Sequence, residues 1–396
     1  YCYRRSGWRL DYEIFSQASR SGLSRSRQSK IPAHLSRTKS PNRRRGQRSY
    51  QEVLISGIMT HMSQIKIQEN NIILNRLFPE SYFLSNQNVY AHRKQELLNK
   101  LRSKTKLDSY KRYIGSPLRY AGGKTLAVGH IINLLPDNNI KRVVSPFLGG
   151  ASVEIAIAKE LGLEVIGYDI FDILINYWHY QITEPEKLAQ KLSEFKPTKE
   201  EYARVRQIKK KHWNGEIKLK DIELASVYYF NHNTSYGPHF LGSQSSVYLQ
   251  PERYKKTIDK VKTFNVKNLK VFCESFENVI PKHIDDFLYC DPPYYLNGDS
   301  KMFVGMYPHR NFPIHHKNFA HEKLRDLLKL HQGGFILSYN DCSTIREWYK
   351  DFNMITPSWQ YTFSQGDTRI GKNRLNNNNG SHIKKSHEII IWKNPK

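Results

Sequence analysis

The chain has 396 residues, enough for one large or two ordinary domains, and carries 62 Lys and Arg against 36 Asp and Glu, a net charge of +26. That excess points to a polyanionic partner, most simply nucleic acid, and the 25 tyrosines offer faces on which bases stack. No apolar run approaches the roughly 18 residues of a membrane span and no secretory signal is visible; the four cysteines, Cys2, Cys273, Cys290 and Cys342, lack metal-ligand spacing and fit reduced thiols of a cytoplasmic protein.

Residues 1–58 differ from the rest: eleven serines, thirteen Lys and Arg, and three acids, with stretches such as "SGLSRSRQSK". Such a segment buries too little apolar surface to order and is expected to be disordered. The first methionines are Met59 and Met62, so upstream or added sequence is the preferred reading, ahead of a Ser/Arg nucleic-acid tail. Without this segment the remainder still carries +16. Residues 59–112 form a helical lead-in, in which "AHRKQELLNKLRSK" (91–104) is a basic helix.

From residue 113 the pattern becomes α/β. Short apolar, β-branched runs recur at 142–147, 164–169, 270–275, 287–290, 334–339, 354–363 and 388–393. Helical stretches lie between several of them, among them 125–135 and 318–331; Leu324, Leu327 and Leu328 share one face of the latter. Seven strands alternating with helices give a doubly wound sheet. Residues 176–264 interrupt the alternation, being helical, polar and rich in Lys, Tyr and Asn, and are expected to form an inserted smaller domain. The tract "LNNNNGS" (375–381) reads as a mobile loop, and "HEKLR" at His321 has Arg325 where a second zinc ligand would stand.

Three stretches carry chemistry. "SPLRYAGGKTLAV" (116–128) looks at first like a phosphate loop, but Leu118 stands where a Walker motif needs its first glycine. In "VVSPFLGGASVEIAIAKELG" (143–162), Phe147, Gly149 and Gly150 sit in a turn between strand and helix, where a backbone without side chains lets a ligand approach. About twenty residues on, Asp169 ends a strand, where an acid binds ribose hydroxyls; a tight βα turn with a capping Asp is the plainer alternative. In "LYCDPPYYL" a strand runs into Asp291-Pro292-Pro293-Tyr294. Proline donates no N–H, so its neighbourhood presents free carbonyls. A carboxylate, a carbonyl and an aromatic face together suit a planar base with an exocyclic amine.

With "PLRYAGGK", "SPFLGGASVE", "GYDIFD" and "YCDPPY" in this order, the chain resembles the DNA adenine methylase family over residues 113–396. "VFCESFENVI", "ILSYNDCSTIREWY" and "KKSHEIIIWK" extend the likeness. The resemblance implies a seven-stranded, Rossmann-like methyltransferase sheet formed by 113–175 and 265–396, with a mainly helical DNA-recognition insert at 176–264. It implies S-adenosylmethionine as methyl donor, no metal, and duplex DNA as substrate. A restriction endonuclease of the same site is the companion if the enzyme is half of a restriction–modification pair. Tyr120, Lys124, Phe147, Gly149, Asp169 and Asp291 would border the donor, with Lys124 near its methionine end. Asp291, Pro292, Pro293 and Tyr294 would form the catalytic tetrad, Asp291 serving both sets.

Three departures stand out: Tyr120 replaces a common Trp, Ala151 takes the last glycine of the turn, and "FNHNTSYGPHFLG" (230–242) replaces the residues of a base-recognition hairpin. The resemblance associates Asp at position 291 with adenine, Ser with cytosine-amine enzymes and Asn with RNA- or protein-directed relatives. Carbon-5 cytosine chemistry needs a Pro-Cys pair that this sequence lacks, and Cys290 would alternate away from Asp291 along its strand. The rivals are a cytosine-amine or RNA adenine methyltransferase, and a nucleic-acid-binding relative without catalysis.

Overall fold

The computed structural model describes residues 80–103, 109–137, 140–237, 240–295, 319–357 and 388–395. The expectations for 1–58, for 59–79 of the lead-in, for the end of the sixth strand at 358–363 and for the loop at 375–381 lie outside the described residues. The chain divides into two units, Tyr1–Leu84 and Ser85–Lys396; apart from the first residues of the first helix, everything below belongs to the second.

Seven strands form one sheet: β1 (Arg142–Ser145), β2 (Glu164–Asp169), β3 (Leu269–Cys273), β4 (Phe287–Cys290), β5 (Phe335–Asn340), β6 (Asn353–Ile355) and β7 (Glu388–Lys393), in the order β3-β2-β1-β4-β5-β7-β6. The pairs from β3 to β5 are parallel, and β7 runs antiparallel between β5 and β6. Every residue of β4 and β5 is buried, as parallel strands covered on both faces require. Strand order reverses between β1 and β4. The crevice at their carboxyl ends is the switch point where open α/β sheets bind ligands, and it lies beside Phe147 and Asp291.

The helices are α1 (Glu80–Leu101), α2 (Val128–Leu134), α3 (Ser152–Ile155, continued by a π-helical turn Ala156–Leu161), α4 (Asp172–Thr183), α5 (Pro185–Ser193), α6 (Lys199–Trp213), α7 (Asp221–Thr234), α8 (Pro251–Lys262), α9 (Phe276–Lys282), α10 (His321–Leu330) and α11 (Ser343–Trp348). The expected basic helix, 91–104, is helical over 91–101 as part of α1, which buries Tyr90, Leu97, Leu98 and Leu101. There Lys94 is buried as well and pairs with Asp137 at 2.6 Å, so this charge serves packing. The start of the expected insert, residue 176, falls inside α4. Buried residues of α5, α6 and α7 share a core with Val143 and Val165 of the sheet.

In the turn after β1, Ala151 takes a left-handed conformation at φ 53° and ψ 28°. For a residue with a Cβ this costs roughly 1–2 kcal/mol. Ala151→Gly relieves it while adding about 0.5–1 kcal/mol of unfolded-chain entropy. A net gain in stability below about 1 kcal/mol is expected, read as a higher denaturant midpoint at unchanged slope.

Candidate active site

The two glycine motifs meet through Tyr120, whose ring lies on the turn after β1. A Cβ built on Gly149 would stand 3.0 Å from that ring, and one on Gly150 2.5 Å from the Tyr120 Cβ. Gly149 also needs a positive φ, +47°, and its carbonyl accepts from the Trp178 indole at 2.9 Å. Glycine here therefore makes room for Tyr120 as well as for a ligand. The Asp169 carboxylate accepts from the Gly149 N–H at 3.0 Å and the Phe171 N–H at 3.0 Å. These two bonds fix it at the end of β2.

On the other side of the crevice Lys124, 4% exposed, donates to both carboxylate oxygens of Asp291, at 2.7 and 2.9 Å, and to the Gly122 carbonyl at 3.0 Å. The Asp291 side chain keeps 20% of its surface exposed. Burial lifts the Asp291 carboxyl above its usual range while Lys124 pulls it back. Burial works against the Lys124 charge, but Asp291, Glu388 and Glu154 together hold its pKa above the ordinary lysine value. Glu154 is buried on α3, accepts from the Ser145 hydroxyl at 2.6 Å, and is pushed up to about 8, chiefly by burial.

Cys290 faces away into the core with Leu288 and Leu337, and burial first, then Asp291, pushes its thiol up. The turn that follows is pinned at Tyr295. Its N–H donates to the Asn340 side-chain oxygen at 2.7 Å, and the Asn340 amide donates back to its carbonyl at 3.0 Å. Within the turn Tyr294 is buried and stacks on Tyr339, 6.1 Å between centroids, with the Lys124 ammonium 4.9 Å from its ring centre.

All nine residues expected at the site, Tyr120, Lys124, Phe147, Gly149, Asp169, Asp291, Pro292, Pro293 and Tyr294, line one cavity of about 210 Å³. Sequence reasoning gave no role to Glu154, Glu388 and Tyr228, which line it too, and placed His232 and Phe240, also in the lining, only within the segment 230–242 at the position of the family's base-recognition hairpin. The signal available for the two acids was a charge inside an otherwise apolar element, at "SVEI" and "EIIIWK". Among the described residues no group of three or more His, Cys, Asp or Glu is placed to hold a metal ion.

The segment 230–242, which stands where the family places a base-recognition hairpin, begins as helix and continues into an antiparallel bridge. Phe230–Thr234 are the last turn of α7, wholly buried. The antiparallel bridge comes later, at Ser235 and Gln244. Asn233 and Thr234 tolerate burial because their side chains have hydrogen-bond partners. Asn233 accepts from the Arg119 N–H at 2.8 Å and donates to the Pro117 carbonyl at 3.2 Å, while Arg119 donates to the carbonyls of Asn233 and Ser235.

Residues 120–363 match the model of the D12 class N6 adenine-specific DNA methyltransferases. The chain belongs to this family. It is 26% identical to the modification methylase StsI of Streptococcus sanguinis over 349 residues, 82% of this chain and 50% of that protein. It is 26% identical to the type II methyltransferase M.FokI of Planomicrobium okeanokoites over 309 residues, 72% of this chain and 46% of that protein. The type II methyltransferase M.MjaIII of Methanocaldococcus jannaschii is 28% identical over 199 residues, 45% of this chain and 68% of that protein. The chain thus spans about half the length of the first two relatives.

Proposed function

We propose that this D12-family chain transfers a methyl group from S-adenosylmethionine to the exocyclic amine of adenine in duplex DNA. The observation that carries this reading is the Asp291 carboxylate, held by Lys124 at the end of β4 in the cavity that Asp169 and Gly149 also line. The lining fits the donor. Asp169 stands where ribose hydroxyls are bound, aromatic rings flank it, and the carboxylates of Asp169 and Asp291 outnumber the one ammonium of Lys124, as suits a cationic ligand. When bound, the donor supplies an electrophilic methyl group on a sulfonium.

The chain's residues then act on the base. An adenine amine is not accessible within the stack, so the base enters the cavity flipped from the duplex. Asp291 and the Pro292 carbonyl accept hydrogen bonds from the amine, keep its lone pair from delocalising into the ring, and aim it into the cavity. Lys124 occupies one lone pair on each Asp291 oxygen, and the others remain to accept. Pro293 keeps the turn extended, and Tyr294 provides the aromatic face for the base. Tyr120, Phe147 and Gly149 shape the donor side. Positioning and electrostatics carry the rate, without a covalent enzyme intermediate. The helical region 176–264 would read the target site, and the basic surface would hold phosphates. A partner endonuclease of the same site and action on cytoplasmic DNA belong to this reading. No described helix is long and apolar enough to cross a membrane.

The test is incubation of unmethylated duplex DNA with radiolabelled donor, digestion to nucleosides and separation. Label is expected in N6-methyladenine. Label in methylcytosine, or label only when RNA is supplied, overturns the reading.

A further inference from the structure

Helix α6 carries Tyr202, Arg206 and Lys209 on one face, spaced i, i+4, i+7. The Tyr202 hydroxyl donates to the Gly242 carbonyl at 2.6 Å, the Arg206 Nε donates to the Leu241 carbonyl at 3.2 Å, and the Lys209 ammonium donates to the Phe240 carbonyl. Three donors on one helix face thus engage three successive carbonyls, in antiparallel order. The opposite side of this segment is tight: a Cβ on Gly242 would stand 3.0 Å from the Gly237 carbonyl oxygen. The segment is held between α6 and the bend at Gly237.

Lys209 shows that the arrangement is built rather than incidental. It is fully buried, and among the described residues no carboxylate pairs with it. Burial first, and Arg206 second, push its pKa well below the ordinary lysine value. An apolar side chain of similar length would fill this space at no desolvation cost. What lysine adds is the hydrogen bond to Phe240.

The side chain of Phe240 lines the cavity. It meets Phe171 edge-on at 5.4 Å and Trp213, the last residue of α6, at 5.1 Å. Phe171 in turn donates its N–H to Asp169 at 3.0 Å. A continuous path of contacts therefore runs from α6 through Phe240 and Phe171 to the acid on the ribose side of the cavity.

We propose that Tyr202, Arg206 and Lys209 are positioning residues that register Phe240 as the donor-side wall of the cavity. This rests on the reading of that cavity as the methyl-donor pocket. It ties a helix of the proposed recognition region to donor affinity, although none of the three side chains lines the cavity.

Tyr202→Phe deletes one hydroxyl and keeps the ring; Lys209→Met keeps the stem and removes the donor. Calorimetry with S-adenosylmethionine, without DNA, is expected to show donor affinity weakened about 3- to 10-fold in each, the effect of one lost hydrogen bond on a wall. In turnover the KM for the donor rises by the same factor, while kcat at saturating donor and KM for DNA stay within about twofold. Variants that fold with unchanged donor affinity, or that raise the KM for DNA instead, overturn the proposal. If Lys209→Met fails to fold, Tyr202→Phe carries the test. A parent protein that binds donor yet methylates no nucleic acid overturns the proposed function, while the calorimetric ratio still decides the role of α6.

Discussion

Asp291→Ala lowers methyl transfer by about 10²–10³-fold or more, the lower figures being the scale seen when one electrostatic group aimed at the reacting atoms is removed. Duplex binding persists because it rests on phosphate contacts. The variant also leaves Lys124, 4% exposed, facing only Glu388 and Glu154. Removing one partner of a buried pair costs about 3–5 kcal/mol when both are fully enclosed. Because Asp291 retains 20% side-chain exposure, about 1–3 kcal/mol is expected. The double variant Asp291→Ala, Lys124→Met removes both charges and separates the effects. Thermal unfolding should return toward the parent, and transfer should stay lost. Recovery of transfer in the double variant would mean that Asp291 serves only to neutralise Lys124, and the catalytic assignment would fall.

The parts of this molecule that were legible in the sequence are local. A strand is a short β-branched run between turns, and all seven strands overlap such runs, β6 only at Met354 and Ile355 of the expected 354–363. Their order does not follow from periodicity: nothing in "EIIIWK" says that β7 inserts between β5 and β6. The cavity was legible because its chemistry sits in compact motifs, Tyr120 to Lys124, Phe147 to Gly149, Asp169, and Asp291 to Tyr294. What joins the motifs was not. The Lys124–Asp291 pair spans 167 residues, and Asn233 reaches back to Pro117 and Arg119 across more than a hundred. A polar residue such as Asn233 of "FNHNT" looks like part of a loop until these remote partners are known. "KEEYARVRQIKKKHW" likewise reads as a solvated helix, and only the carbonyls of Phe240 to Gly242 give Lys209 a reason to be inside.

Glu154→Gln should make folding stability less dependent on pH. Glu154 is 2% exposed, and burial is the main cause that raises its pKa from 4.5 to about 8; the Ser145 hydroxyl opposes the rise and nearby Asp291 adds to it. Below pH 4.5 the folded and unfolded chains both hold this proton. Between 4.5 and about 8 the unfolded chain releases it and the folded chain keeps it, so rising pH favours unfolding. The stability present at low pH is lost through this window, by about 4–5 kcal/mol at 1.36 kcal/mol per pH unit, and no further above it. Glutamine has nearly the same shape, still accepts from Ser145, and has no proton to lose. Denaturant unfolding of parent and variant across pH 4 to 9 isolates the effect, because other titrating groups largely cancel in the difference. The advantage of Glu154→Gln should grow from near zero at the acid end to several kcal/mol at the alkaline end. A difference that stays constant with pH would show that Glu154 ionises in the folded protein as readily as in the unfolded chain, and that the cavity carries one more full negative charge beside Asp291 than this account allows.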